Sequence, residues 1–249
     1  MNKRSLFHLL IGALLLPMLA GVVCLAQTPA PVDRINVTIT HVRPDLLDEW
    51  VDLQKNEVIP ALKKAGVTTR TVSRTVWGSG YEFVIITPLE KFAQRDGQSP
   101  TAKALGAEAA ARLGAKLRRC VVSSQSYVAY RMPELSNIPA GAAPPIAVST
   151  RVRLAPGKAQ EWENFVKTEL LPIYKKGNAR YQVSRRSLGA NTSDRTLTTY
   201  AATFAELDAG SLLVRTLGAD GVTKVLAKGT GLSTPVETLV RQRVADLSY

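Results

Sequence analysis

The chain has 249 residues, 45% hydrophobic and 21% charged, with a net charge of +12 at neutral pH. That is ordinary globular composition, enough for one large domain or two small ones. Only Cys120 and His41 lie beyond the first 26 residues, which excludes an intramolecular disulfide there and zinc sites built from several Cys or His ligands.

Taken in chain order, Lys3 and Arg4 form a basic start, "LFHLLIGALLLPMLAGVV" an apolar run and "CLA" before Gln27 a small-x-small cleavage signal. Residues 1–26 therefore read as a secretory signal peptide. An uncleaved anchor is the alternative, because the run approaches the length of a membrane span. Cleavage lowers the net charge from +12 to +10 by removing two basic residues and no acidic ones. The remaining Lys and Arg are dispersed, so a solvated basic surface is expected, with an anionic ligand as the alternative. No nucleic-acid partner is expected, and no membrane contact after cleavage.

A strand is predicted at "INVTITHVR", which alternates and is β-branched. The amphipathic segment "EWVDLQKNEVIPALKKAG" follows as a helix. Next, "TTRTVSRTVW" and "YEFVIIT" are strands joined by "GSG", a hairpin signal. The Ala-rich "SPTAKALGAEAAARLGAKLRR" reads as a helix, and "SQSYVAYRM" as the last strand of this half. Cys120, beside two valines, reads as a buried small hydrophobe.

The pattern then repeats. Residues 49–64 and 161–176 share seven identities in sixteen positions, 112 residues apart. "VSR" at 72–74 recurs at 183–185, "FAQRD" at 92–96 as "FAELD" at 204–208, and "LGAE" at 105–108 as "LGAD" at 217–220. A fixed period of this length marks a whole-domain duplication. The second copy supplies "IAVSTRVRL", "ARYQVSRRSL", "RTLTTYAAT" and "ETLVRQRVA" as strands. The expected fold class is α+β, with two ferredoxin-like β-α-β-β-α-β domains at 33–136 and 146–249. The Pro- and Gly-rich "NIPAGAAPP" at 137–145 is the linker.

The strand order, the "EWxxxxKxExxPxxKK" pattern of the first helix and the duplication resemble the dimeric α+β barrel superfamily, which includes antibiotic-biosynthesis-monooxygenase-like and NIPSNAP-like proteins. The resemblance covers residues 33–249. It implies an intramolecular dimeric α+β barrel, hence a monomeric pseudo-dimer. It also implies a range of activities: cofactorless oxygenases, haem-degrading enzymes and isomerases. Haem-degrading relatives use a His on a helix, and this chain has none on a predicted helix, so no cofactor is expected.

Several residues are candidates for a ligand pocket. On a regular helix Trp50, Leu53, Val58, Ala61 and Leu62 share a face, matched by Trp162, Phe165, Leu170, Ile173 and Tyr174. Seven residues after Trp50 is a rotation of about 700°, which puts Glu57 on that face and Glu169 on the equivalent one behind Trp162. A desolvated carboxylate could serve as a general base, but pairing with the repeated Arg74 and Arg185 is the expected role. Pro60 and Pro172 interrupt these helices, with Gly66 and Gly177 as C-caps. His41 ends the first strand. Trp77 and Tyr81 belong to the first copy alone. Two functions fit: a small-molecule-binding or structural module taking a partly apolar or anionic ligand, and a cofactorless monooxygenase- or isomerase-like enzyme. A polar set present in one copy only, converging on a pocket, would separate them.

Overall fold

The computed structural model describes residues 33–249, so the leader read at 1–26 lies outside the described residues. The first half runs β1 (Arg34–Val42), α1 (Leu47–Leu53), α2 (Ile59–Lys64), β2 (Thr71–Trp77), β3 (Glu82–Pro88), α3 (Pro100–Leu105), α4 (Ala107–Cys120) and β4 (Val121–Arg131). The second runs β5 (Ile146–Leu154), α5 (Ala159–Phe165), α6 (Leu171–Lys176), β6 (Tyr181–Arg186), β7 (Asp194–Ala201), α7 (Ala205–Asp208), α8 (Leu212–Ala227) and β8 (Ser233–Arg243). Between the halves, residues 139–145 carry neither helix nor strand.

All eight strands pair antiparallel in one closed barrel, in the order β1-β3-β2-β8-β5-β7-β6-β4. Each half supplies four neighbouring strands, β4-β1-β3-β2 and β8-β5-β7-β6. The halves therefore join edge to edge, across β2–β8 and β4–β6. Closure leaves no free sheet edge in the barrel, which removes the unpaired N–H and C=O rows an open sheet would present. Among the described residues no helix is long and apolar enough to cross a membrane.

Strand residues alternate between the barrel interior and the helices outside. Ile35, Val37, Val84 and Ala129 form a cluster with Ile39, Ile86 and Tyr127, on the inner side of β1, β3 and β4. The opposite face of the same strands presents Val42, Phe83 and Ile85 to Trp50, Leu53 and Leu113. An equivalent outer cluster surrounds Trp162 in the second half. Thr38 shares the helix-facing side with Val42, whereas Ser73 pairs with the inward Val84. These two hydroxyls therefore lie on opposite faces of the sheet.

The repeated helix is not a regular α-helix. In both copies a π-helical turn, Gln54–Val58 and Val166–Leu170, separates α1 from α2 and α5 from α6. The Ile59 amide bonds back to the Gln54 carbonyl and the Leu171 amide to Val166, five residues in each case. Pro60 and Pro172 follow directly, and the wide turn gives room for a ring that cannot donate. The repeated "LGA" is also a device: Gly106 (φ 84°) and Gly218 (φ 67°) sit in left-handed conformations that break the second helix of each half. The helix predicted from Ser99 onward is accordingly two helices. At the other end, Gly66 is a left-handed cap (φ 84°), but Asn178 (φ 46°), not Gly177 (φ −79°), holds that conformation in the second copy.

Candidate ligand pocket

Trp50 and Trp162 are 1% and 3% exposed. Trp50 lies against Phe83 with ring centroids 4.5 Å apart, so both tryptophans anchor the packing of helix on sheet. Glu57 and Glu169 do not share their face. The π turn inserts a residue between Trp50 and Glu57, which turns the later side chain outward by about 100°. Glu57 is 38% exposed and pairs with Lys116 at 2.9 Å; Glu169 is 26% exposed and pairs with Lys228 at 2.8 Å. The partners are thus lysines of α4 and the α8 end, and Arg74 and Arg185 are exposed elsewhere, Arg185 over the Tyr130 ring. Exposed pairs of this kind contribute about 0–1 kcal/mol. Glu57→Gln is therefore expected to shift a urea unfolding midpoint by less than about 0.5 kcal/mol; a loss above ~2 kcal/mol would contradict this placement.

His41, Trp77 and Tyr81 do not converge on a common site. His41 is aligned with Glu82 across β1–β3 as Arg153 is with Asp194 across β5–β7, which makes Arg153 its counterpart. Its ring lies 3.1 Å from Ser79 Oγ and 3.1 Å from Ser123 Oγ, and 3.5 Å from Glu82. Trp77 is 58% exposed and meets Phe204 of the second half edge-on. Tyr81 is an exposed turn residue at φ 59°. Cys120 is fully buried as a free thiol, and burial pushes its pKa up, away from nucleophilic use.

A cleft with ligand-sized room lies between the outer face of β1 and β3 and the helices α2 and α3. Its volume is about 450 Å³, within the range of small-molecule sites. Val58, Leu62, Val67, Ile85 and Leu89 give it an apolar wall. Its polar floor is Asn36, Thr38, Gln54 and Arg70, with Arg95, Lys103 and Glu90 also lining it. Asn36 Nδ2 donates to Thr38 Oγ1 at 3.2 Å, Arg95 donates to Asn36 Oδ1 at 2.9 Å, and the Thr38 and Ser126 hydroxyls lie 2.8 Å apart.

Arg70 is the unusual group. It is 2% exposed, donates to Gln54 Oε1 at 2.6 Å and to the Leu247 carbonyl at 2.9 Å, and has no carboxylate within ion-pair distance among the described residues. Its backbone is bonded in both directions to Tyr249. Burial depresses its pKa to about 10, so the guanidinium stays charged at neutral pH despite the cost of desolvation. Two of its five donors are used in these side-chain bonds.

The second half has the same cleft in a filled form, about 60 Å³ between β7, α6 and α8. The sheets align with an offset of 112, which becomes 111 in β2 and β6 after the shorter loop. Asn36, Gln54, Leu62 and Arg95 then correspond to Val148, Val166, Tyr174 and Leu207, and Arg70 to Tyr181. Tyr174 and Tyr181 stack at 4.1 Å with 2° between their planes, occupying the space that stays open in the first half. Polar groups in one copy face apolar groups in the other, and they converge on the pocket. These were the residues sequence reasoning missed; the signal was the polar-for-apolar exchange at aligned positions.

None of the residues lining the open pocket is His, Cys, Met or Tyr, so the pocket offers none of the usual axial ligands of a haem, and the residues present do not fit that group. Among the described residues no cluster of three His, Cys, Asp or Glu is placed to hold a metal ion.

No family model matches the sequence, and no curated protein matches it. Solved structures do. The chain is similar to a proposed monooxygenase from Lactobacillus acidophilus NCFM, with TM-score 0.59, 8% identity, and 87% of this chain and 95% of that chain covered. It is similar to an anthrone oxidase-like protein (TM-score 0.56, 9% identity, 85% and 91% covered). It is also similar to a haem-binding protein from Thermus thermophilus (TM-score 0.53, 11% identity, 86% and 92% covered). At such identities the likeness speaks for the fold alone, a closed eight-stranded antiparallel barrel with helices outside it.

Proposed function

We propose that the chain binds a small, partly apolar organic acid in the first-half pocket, and that the second half is a supporting copy. The observation that carries this reading is Arg70, a buried guanidinium without a carboxylate partner on the floor of the open cleft. Its remaining donors suit a carboxylate, which Arg recognises through two parallel hydrogen bonds. Arg95 and Lys103 add positive charge against the single Glu90, and the wall around Leu62 and Ile85 suits an apolar tail.

Leu62→Tyr tests it by giving the first half the plug that Tyr174 provides in the second. Titration calorimetry with benzoate and octanoate is expected to show binding to the parent protein and at least tenfold weaker binding to the variant, with the unfolding midpoint preserved. Equal affinities in both proteins, or no binding of either acid to the parent, would overturn the reading.

A second reading, a cofactorless oxygenase or isomerase acting on the same acid, is favoured by the structural likeness to the proposed monooxygenase and the anthrone oxidase-like protein. Against it, Glu90 is the one carboxylate lining the cleft, and general-base chemistry needs a positioned base. Oxygen uptake with the bound acid separates the two. We propose further that the barrel arose by duplication of a β-α-β-β-α-β unit, that residues 1–26 direct export, and that the molecule works as a monomer without nucleic acid. The two edge-to-edge junctions support the last point, since each half already occupies the sheet edges of the other.

A further inference from the structure

A second cleft, of about 310 Å³, opens inside the barrel mouth, on the opposite face of the sheet from the pocket above. The carboxyl-terminal ends of β1 and β5 and the starts of β3 and β7 meet there. Strand alternation sends Arg151 and Arg153 from β5, Arg186 from β6 and Arg241 from β8 into it, facing Glu82, Asp194 and Glu237.

The pairing within this set is uneven. Asp194, 1% exposed, accepts from Arg151 at 2.9 Å and from Arg153 at 2.8 Å. Burial pushes its carboxyl up, but the hydrogen bonds and charge of Arg153 and Arg151 outweigh that and hold it below its ordinary value. Glu237 pairs with Arg151 at 2.8 Å, and Glu82 with Arg241 at 3.3 Å. Four guanidiniums thus face three carboxylates, and Arg186 has none within ion-pair distance among the described residues. Arg186 lies over the Tyr127 ring at 4.6 Å. The Nε atoms of Arg186 and Arg241 are buried without a hydrogen-bond partner, and burial, with the nearby Arg151 charge, lowers the Arg186 pKa. Buried donors left without acceptors in a cationic recess are the condition in which an anion is gained.

We infer that the barrel mouth is an anion site, in which Arg186 takes a small oxyanion such as phosphate, with Gln125 and Asn191 as neutral donors at its edge. The site completes the charge balance of the mouth, one negative group for the unmatched guanidinium. A phosphate oxygen accepts from the guanidinium fork, and the Tyr127 ring holds the fork's plane. The ion bound here is independent of the acid bound by Arg70, since the sheet separates the two.

Inorganic phosphate titrated into the full chain at constant ionic strength, with chloride as the balancing anion, tests the assignment by calorimetry. The parent protein is expected to bind one phosphate with a Kd on the order of 1 mM or tighter, and Arg186→Met to bind it at least tenfold more weakly. Ala190→Glu, in the loop lining the mouth, supplies an internal carboxylate and is expected to weaken phosphate by a similar factor while leaving Arg186 in place, so the test stands even if Arg186→Met does not fold. Leu62→Tyr, which fills the other pocket, is expected to leave phosphate binding unchanged. No phosphate uptake by the parent at 20-fold above that Kd, parent-like binding by Ala190→Glu, or loss of binding in Leu62→Tyr would each overturn the site. Only the last would move the anion to the Arg70 pocket.

Discussion

Replacing Arg70 by methionine is expected to weaken the binding of small carboxylic acids by about thirtyfold or more, with only a small change in stability. Removing one partner of a buried charge pair typically costs ~2–5 kcal/mol of binding, and each ~1.4 kcal/mol is tenfold in affinity. Stability behaves differently because two effects oppose. The variant no longer carries the desolvation of a guanidinium that is 2% exposed and unpaired. It does orphan Gln54 Oε1 and the Leu247 carbonyl, which now accept from Arg70, at about 1–3 kcal/mol for a buried unsatisfied group. Arg70→Lys keeps the charge without the planar fork and should fall between parent and methionine variant. The pH dependence has a defined sign. Arg70 is depressed to about 10 in the free protein, and only its charged form attracts the acid. Affinity should be flat from neutral pH upward and fall as pH rises through about 10. Calorimetry across that range checks both points; unchanged affinity in Arg70→Met would end the assignment of Arg70 as the ligand's counter-charge.

The largest loss of stability is expected from Trp50→Ala. Trp50 is 1% exposed, packs on Phe83, and sits in a cluster with Val72, Leu113 and Leu247. Truncating a buried Trp leaves a cavity in a wall that strand β3 and helix α4 cannot collapse to fill, at about 3–5 kcal/mol. That is a large share of the ~5–15 kcal/mol that holds a domain folded. Trp162→Ala, 3% exposed in the equivalent cluster, should cost a similar amount, because the two halves share this packing even where they differ in their pockets. Urea denaturation with an unchanged slope would read the loss directly; a midpoint shift worth under ~1 kcal/mol for either variant would show that the tryptophans do not hold helix to sheet.

The strand order was legible in the sequence because alternation and turn residues are local. β5 was read at its observed bounds, Ile146–Leu154, and the hairpin of β2 and β3 was marked by "GSG". Barrel closure was not legible from local pattern, since β2–β8 and β4–β6 pair residues far apart in the chain; it followed from the resemblance. The placement of Glu57 failed for a geometric reason. Wheel arithmetic assumes 3.6 residues per turn, and nothing in "QKNEV" announces a π turn except the proline behind it. The pocket was hidden differently. Its polar residues look ordinary one at a time, and Arg70 meets its counterpart Tyr181 only after the one-residue shift at β2 is applied. Comparing aromatics between the copies pointed to Trp77 and Tyr81, which turn outward.

The position of β8 has a consequence for how the molecule is made. This strand, residues 233–243, lies between β2 and β5, so the first hairpin cannot complete its pairing until β8 has emerged. During synthesis β2 stands as an open edge for the time needed to add more than 150 residues (Trp77 to Ser233), and such edges invite pairing with other chains. Pairings this distant in sequence also close slowly. The finished barrel is sealed, but its assembly waits on β8, which makes late folding, and protection of the waiting edge, a built-in requirement of this arrangement.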